Sequence, residues 1–270
     1  MPEVTSPEPA HLVDLARYPI LDLDAPRIGA VLAWARGQLR ETGACEVSDF
    51  LSPSGLAAIT ADAEQLAAGA YWSDGVGTAY LEVPDFSLPE DHPRRILGRA
   101  AVGVVAYDMF PPGSPLRRLY EWDPFMRFIE AVLGRGALYR YADPLGALNL
   151  AVMGNCDELQ WHFDQTDFVV SLAFRDADTG GDFEVAPRIR SAADENYPGV
   201  QRVLSGDRAA VVRLPMTPGT LLIFEGRYSL HRVSRIGGAT TRLVGLLAYD
   251  TRPGTRSTEL LQLGRYGRVA

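Results

Sequence analysis

Lysine is absent from this chain: all 26 of its Lys+Arg residues are arginine. Chemistry that needs a primary amine is thereby excluded, including Schiff-base catalysis, pyridoxal phosphate anchoring and the phosphate lysine of P-loops. Cysteine is nearly absent too. Cys45 and Cys156 are too few for a disulfide framework or a thiolate metal cluster, and such usage fits a reducing cytoplasm. No stretch approaches the roughly 18 consecutive apolar residues that would span a bilayer. The acidic, proline-interrupted start MPEVTSPEPAHLVDLARYP has no basic segment followed by an apolar one, so no secretion signal is visible. Positive charge is not in excess either. A net charge of -8 and a pI near 5.1 make nucleic acid and anionic membrane poor partners and point to a small-molecule substrate. The expectation is a cytoplasmic protein whose oligomeric state is unreadable.

What is present suits an ordinary globular chain: 270 residues, 47% of them hydrophobic, suffice for a sizeable core. Ile28, Val31, Leu32, Ala35 and Leu39 recur at helical steps between Pro26 and Gly43, and Ser52-Pro53 opens a second helix carrying Leu56, Ile59, Ala63 and Leu66. A third helix is expected over 116–133. Residues 71–93 are rich in Gly, Pro and Asp and read as a long loop, a candidate lid. From residue 137 onward the texture changes to short apolar runs. Nine strands are expected, over 138–142, 148–152, 158–163, 168–174, 181–185, 209–213, 221–225, 229–235 and 240–249, with Gly180-Gly181, Pro218-Gly219 and Gly237-Gly238 between them. Many short strands at this spacing suggest a sandwich or barrel. We therefore expect one domain over 1–270 of mainly β (α+β) class: a mainly helical part at 1–136 packed outside, a β core at 137–250 and a tail at 251–270.

Of the four histidines, His11 and His92 sit beside prolines and acidic residues and are read as solvated surface groups. His162 lies in Gln160-Trp161-His162-Phe163-Asp164. Side chains two apart on a strand share a face, so His162 and Asp164 project together from Cα atoms about 7 Å apart while Trp161 and Phe163 point into a core. His231 lies in a later strand. If Gly237-Gly238 closes a two-residue hairpin, Arg242 falls diagonally beside His231, roughly 7–8 Å away on the same face. Two imidazoles and one carboxylate leave open positions on iron(II), and zinc is the competing metal. Arg242 favours iron, because a guanidinium beside the site grips a carboxylate with two parallel hydrogen bonds and implies an anionic ligand next to the metal.

These residues resemble the iron(II)- and 2-oxoglutarate-dependent dioxygenases, whose fold is a double-stranded β-helix (jelly roll). The resemblance rests on His162-Phe163-Asp164, Gly180-Gly181-Asp182-Phe183-Glu184, Pro218 to Phe224, Leu230-His231-Arg232-Val233 and Arg242, eleven residues beyond His231, in that order over about 137–250. The texture of 161–190 is similar to a bacterial branch that includes free amino-acid hydroxylases and halogenases. The resemblance implies that His162, Asp164 and His231 hold iron(II) and that Arg242 binds the distal carboxylate of 2-oxoglutarate. Dioxygen then oxidises that cosubstrate to succinate and carbon dioxide, with hydrogen abstraction from the substrate. Halogenases of this branch carry glycine or alanine in place of the carboxylate ligand, so Asp164 implies hydroxylation of an unactivated C–H bond, with desaturation or cyclisation as alternatives.

Strand parity extends the candidate site. Val244, Leu246 and Ala248 share the face of Arg242; Asn149 is a cosubstrate contact if it faces inward together with Ala151; and Gln160, Gln165 and Asp167 are candidate substrate contacts. The expected substrate is a free amino acid or a derivative of one. A peptide hydroxylase would want an open groove instead of a lid, and a metal-free jelly-roll binding module is the non-enzymatic alternative.

Overall fold

The computed structural model describes residues 9–270. Its first helix, α1 (Pro26–Thr42), starts on a proline and ends where Gly43, at φ 72°, turns its N–H back to the carbonyl of Leu39. The short strand β1 (Ala44–Val47) follows, and Ser52 then caps α2 (Pro53–Ala67) by accepting from the Gly55 amide at 2.9 Å. The expected helix over 116–133 is two, α3 (Pro115–Glu121) and α4 (Asp123–Leu133). Pro124 is the cause: it has no N–H to donate within a continuing helix, and the chain turns extended at Trp122 before α4 begins.

One long strand stands inside the expected loop and a second just beyond it. β2 (Tyr71–Thr78) pairs in an unbroken antiparallel register with β3 (Leu97–Val105), so a long hairpin joins the helices of this part of the chain and the loop shrinks to 79–96. Glycines serve the pairing: Gly77 of β2 and Gly98 of β3 lie against the side chain of Gln160, where a Cβ on Gly98 would sit 2.3 Å from its Oε1.

The expected strands of the second half all form: β4 (Tyr139–Arg140), β5 (Leu148–Met153), β6 (Glu158–His162), β7 (Val169–Arg175), β8 (Phe183–Ala186), β9 (Val212–Leu214), β10 (Leu221–Phe224), β11 (Leu230–Val233), β12 (Arg242–Leu247) and β13 (Tyr249–Asp250). β4 pairs only with β13, and α5 (Tyr197–Leu204) is an additional helix. The large sheet runs β1-β10-β7-β12-β5-β3-β6-β11-β8-β9, with β2 on the outer side of β3. It folds into two facing layers, β10-β7-β12-β5 opposite β6-β11-β8-β9, and β3 bridges them by pairing with β5 at one end and β6 at the other. The double-stranded β-helix expected from the sequence is thus the fold of the chain.

Alternation along the strands sorts the side chains. Leu148, Leu150, Val152, Val170, Leu172, Phe174, Leu221, Ile223, Leu243 and Leu247 face outward into the main core, where α1 to α4 cover them. Met153, Ala173, Leu222, Phe224 and Val244 face inward with Phe183, Val185 and Val233 of the opposite layer. Trp161 and Phe163 enter a third cluster, under α5 with Val200 and Val203. No helix of the described residues is long and apolar enough to cross a membrane.

The segment 251–270, expected as a tail, carries α6 (Glu259–Tyr266). Buried Asp143 holds it in place: its Oδ1 accepts from Gln262 Nε2 at 3.0 Å and from the Leu145 amide at 2.9 Å, and its Oδ2 accepts from the Ser257 amide at 2.9 Å. Burial alone would raise the Asp143 carboxyl, yet these donors hold it below its ordinary value. Asp143→Ala strands three donors and is expected to cost about 2–4 kcal/mol. Urea unfolding measures that loss, and limited trypsinolysis should cut at 251–270 before the rest of the chain.

Candidate active site

His162 closes β6 and His231 lies directly opposite it in β11, which places their ring centroids 4.2 Å apart. Asp164 follows two residues past the end of β6, where its amide donates to the carbonyl of Gly226 at 3.1 Å. One ligand atom from each of His162, Asp164 and His231 lies within 4.8 Å of the others, a spacing that a single metal ion can span.

Hydrogen bonding aims the two imidazoles. Nδ1 of His162 lies 2.7 Å from the Gln160 carbonyl and Nδ1 of His231 lies 2.9 Å from the Ser229 carbonyl. A carbonyl only accepts, so Nδ1 carries the hydrogen in both rings, and each Nε2 is left to coordinate. Burial, with a further contribution from His231, pushes the His162 imidazole down to about 4 and keeps it neutral. Phe224 and Phe183 pack on His231 at 4.9 and 5.6 Å between ring centroids.

Asp164 supplies the test of whether a metal fits. Its Oδ2 is buried without a hydrogen-bond partner, and Nε2 of His231 stands 3.2 Å from it. With the His231 hydrogen on Nδ1, two lone pairs face each other there, an arrangement that a cation resolves. Gly226 makes the room: a Cβ there would lie 2.3 Å from Asp164 Oδ2.

The three side chains open into a cavity of about 540 Å³ between the two layers, within the usual range for small-molecule sites. Arg242 lines it from the start of β12, buried to 6% exposure, and burial pushes its guanidinium down to about 10 while Asp176 and Asp182 oppose the shift. The expected hairpin does not carry it. β11 pairs with β6 and β8 and β12 with β5 and β7, so His231 and Arg242 meet across the cavity from opposite layers.

Other expected positions divide. Val244, Leu246 and Ala248 line the cavity, as do Asn149 and Ala151, which settles the inward face of β5. Asn149 is nonetheless a poor donor to a ligand. Its amide hydrogens go to the carbonyls of Leu145 at 2.9 Å and Leu148 at 2.7 Å, and its Oδ1 accepts from the Tyr266 hydroxyl at 2.8 Å. Gln160 is not at the cavity. The β6–β11 register shifts between His231 and Val233, and this bulge breaks the parity that linked Gln160 to His162; Leu159 lines the cavity, and Gln160 donates to the Thr78 carbonyl at 3.3 Å. Gln165 and Asp167 sit exposed at the mouth, where Arg227 binds the Asp167 carboxylate at 2.5 Å and the Gln165 carbonyl. His92 is half-buried against Tyr197, at 4.5 Å between ring centroids, not free on the surface. Sequence reasoning missed the wall formed by α6: Leu261, Arg265 and Tyr266 line the cavity, and the only signal was the helical spacing of 258, 261 and 265.

A family model described as Halogenase D matches residues 30–259. Among curated proteins nothing matches the sequence significantly. Among solved structures, the chain is similar to AviO1 from Streptomyces viridochromogenes Tue57, at 17% identity over 84% of this chain and 97% of that one, TM-score 0.57. It is also similar to the epimerase SnoN from nogalamycin biosynthesis, in complex with Fe3+, alpha ketoglutarate and nogalamycin RO, at 16% identity over 85% and 93%, TM-score 0.56. An oxidoreductase of the 2OG-Fe(II) oxygenase family from Burkholderia pseudomallei shares 17% identity over 83% and 92%, TM-score 0.53. Identities this low speak for the fold, and the family model covers most of the chain. The chain therefore belongs to the halogenase D family.

Proposed function

We propose that this protein hydroxylates an unactivated C–H bond of a small molecule, a free amino acid or amino-acid derivative, coupled to oxidative decarboxylation of 2-oxoglutarate to succinate. The observation that carries the reading is the buried, unpartnered Oδ2 of Asp164 facing the free Nε2 of His231. In this reading His162, Asp164 and His231 hold iron(II), which when bound supplies the site for 2-oxoglutarate chelation and dioxygen activation. Arg242 anchors the distal carboxylate of the cosubstrate. Its fork makes two charge-assisted hydrogen bonds, and the apolar side chains Met153, Phe183 and Val244 around it keep water from competing. The carbonyls of Gln160 and Ser229 keep both histidines in the tautomer that coordinates.

Asp164 favours hydroxylation over halogenation. The branch that the sequence resembles opens room for a halide by shortening this side chain to glycine or alanine, and here the carboxylate fills that room. A small substrate suits a cavity closed over by α6, a role that the sequence had suggested for 71–93. Among those residues only Leu81 lines the cavity.

Anaerobic titration of the protein with iron(II) and 2-oxoglutarate tests the reading: a weak visible charge-transfer band is expected, and its absence would remove the chelate and favour a metal-free binding module. His231→Ala should abolish succinate production with the circular dichroism spectrum unchanged, since it deletes a ligand and leaves the main core under α1 to α4 and the cluster under α5 untouched. Gly226→Ala should weaken iron(II) binding by about 10–100-fold, the range expected when a ligand's surroundings are disturbed, because the added methyl displaces the Asp164 carboxylate. Arg242→Gln should raise the Kd for 2-oxoglutarate, read from the same band, by about 10–100-fold through loss of a hydrogen-bonded charge.

A further inference from the structure

The charge of the cavity runs against that of the chain. Carboxylates outnumber arginines in the sequence, 34 to 26, yet five arginines and only three carboxylates line the cavity: Arg227, Arg242, Arg252, Arg256 and Arg265 against Asp164, Asp167 and Asp250. Most of the arginines are accounted for. Arg227 pairs with Asp167 at 2.5 Å, Arg252 lies 3.7 Å from Asp250, and exposed Arg256 donates to the Ala142 carbonyl at 2.8 Å. Arg242 serves the cosubstrate under the function proposed above, and the ferrous ion with Arg242 balances Asp164 and a doubly negative 2-oxoglutarate. Arg265 is left without a carboxylate, its guanidinium meeting the neutral hydroxyl of Tyr266.

Arg265 is half-buried on the face of α6 that carries Thr258 and Leu261, and all three line the cavity. Among the described residues no carboxylate lies within ion-pair distance of it. The two guanidiniums enter one cavity from different elements, Arg242 from the start of β12 and Arg265 from α6. A favourable charge at the helix C-terminus would explain a solvated arginine there, but not one turned into a cavity and partly desolvated without a counter-ion. The helix does not need it for anchoring, since Gln262 and Tyr266 hold α6 through Asp143 and Asn149.

We propose that Arg265 binds a carboxylate of the substrate and so selects free acids over their neutral derivatives. The inference rests on the oxygenase reading and names its substrate class. A guanidinium paired bidentately with a carboxylate loses most of that interaction when the partner becomes an amide, a loss of about 10–100-fold in affinity.

The test uses the full-length iron-loaded enzyme with a panel of free amino acids and their matched carboxamides. Substrate-dependent succinate release and product mass are read together. For the wild type, kcat/KM should favour acids by about 10–100-fold. Arg265→Gln should erase that preference mainly through KM, Arg265→Lys should restore part of it, and neither should move the melting temperature or the Kd for 2-oxoglutarate read from the charge-transfer band. A wild-type enzyme that accepts amides as readily as acids, or accepts none of the acids, overturns the proposal, as does an Arg265→Gln variant that still discriminates. Failure of the band in the wild type instead removes the oxygenase reading; a normal band without acid preference removes only the role of Arg265.

Discussion

Three side chains that each present a lone pair, and no proton to share among them, meet at one point inside this protein. Nε2 of His231 and Oδ2 of Asp164 stand 3.2 Å apart, and the hydrogen that could have joined them is committed to the Ser229 carbonyl on the far side of the ring. An arrangement of this kind is unfavourable until a cation enters it. Much of the local architecture maintains it: strand carbonyls set both tautomers, Phe183 and Phe224 pack on the His231 ring, and Gly226 leaves the space that Asp164 fills.

The fold can hold such a site because its stability is built elsewhere. The largest core lies outside the β10-β7-β12-β5 layer, under α1 to α4, where Phe50, Phe110, Phe125 and Phe128 are fully buried. A second cluster beneath α5 backs the opposite layer with Trp161 and Phe163. With both outer faces packed, the space between the layers need not be filled. The same alternation that sends Leu148, Leu150 and Val152 into the main core turns Asn149, Ala151 and Met153 toward the cavity, so one short strand serves both purposes.

The absence of lysine bears directly on the chemistry. Arg242 is almost fully buried, and burial lowers it only to about 10, so it stays charged at neutral pH. A lysine starts about two units lower and gives up its proton more readily when desolvated. An all-arginine cavity therefore stays cationic where an ammonium would tend toward neutrality, and a planar fork suits the carboxylates of 2-oxoglutarate.

The sequence was legible where local rules govern. Pro26 and Gly43 bound α1, Ser52 opens α2, and the nine short runs of the second half become strands, because caps and period-2 apolar patterns act within a few residues. His162 and Asp164 could be placed on one side of their strand for the same reason. Reading by local rules failed where a partner distant in sequence decides. Tyr71–Thr78 became a strand because β3 pairs with it and Gln160 packs on Gly77 and on Gly98 of β3, and the bulge between His231 and Val233 took Gln160 off the cavity face. Residues 251–270 became a wall because Asp143, more than a hundred positions earlier, gathers their amides. By itself the sequence determined which side chains could coordinate a metal and which elements would carry them, since both follow from residue type and short spacing. Only the tertiary structure decided that His231 and Arg242 face each other from opposite layers and that Arg265 joins them, because strand pairing and helix docking are set by burial summed over the whole chain.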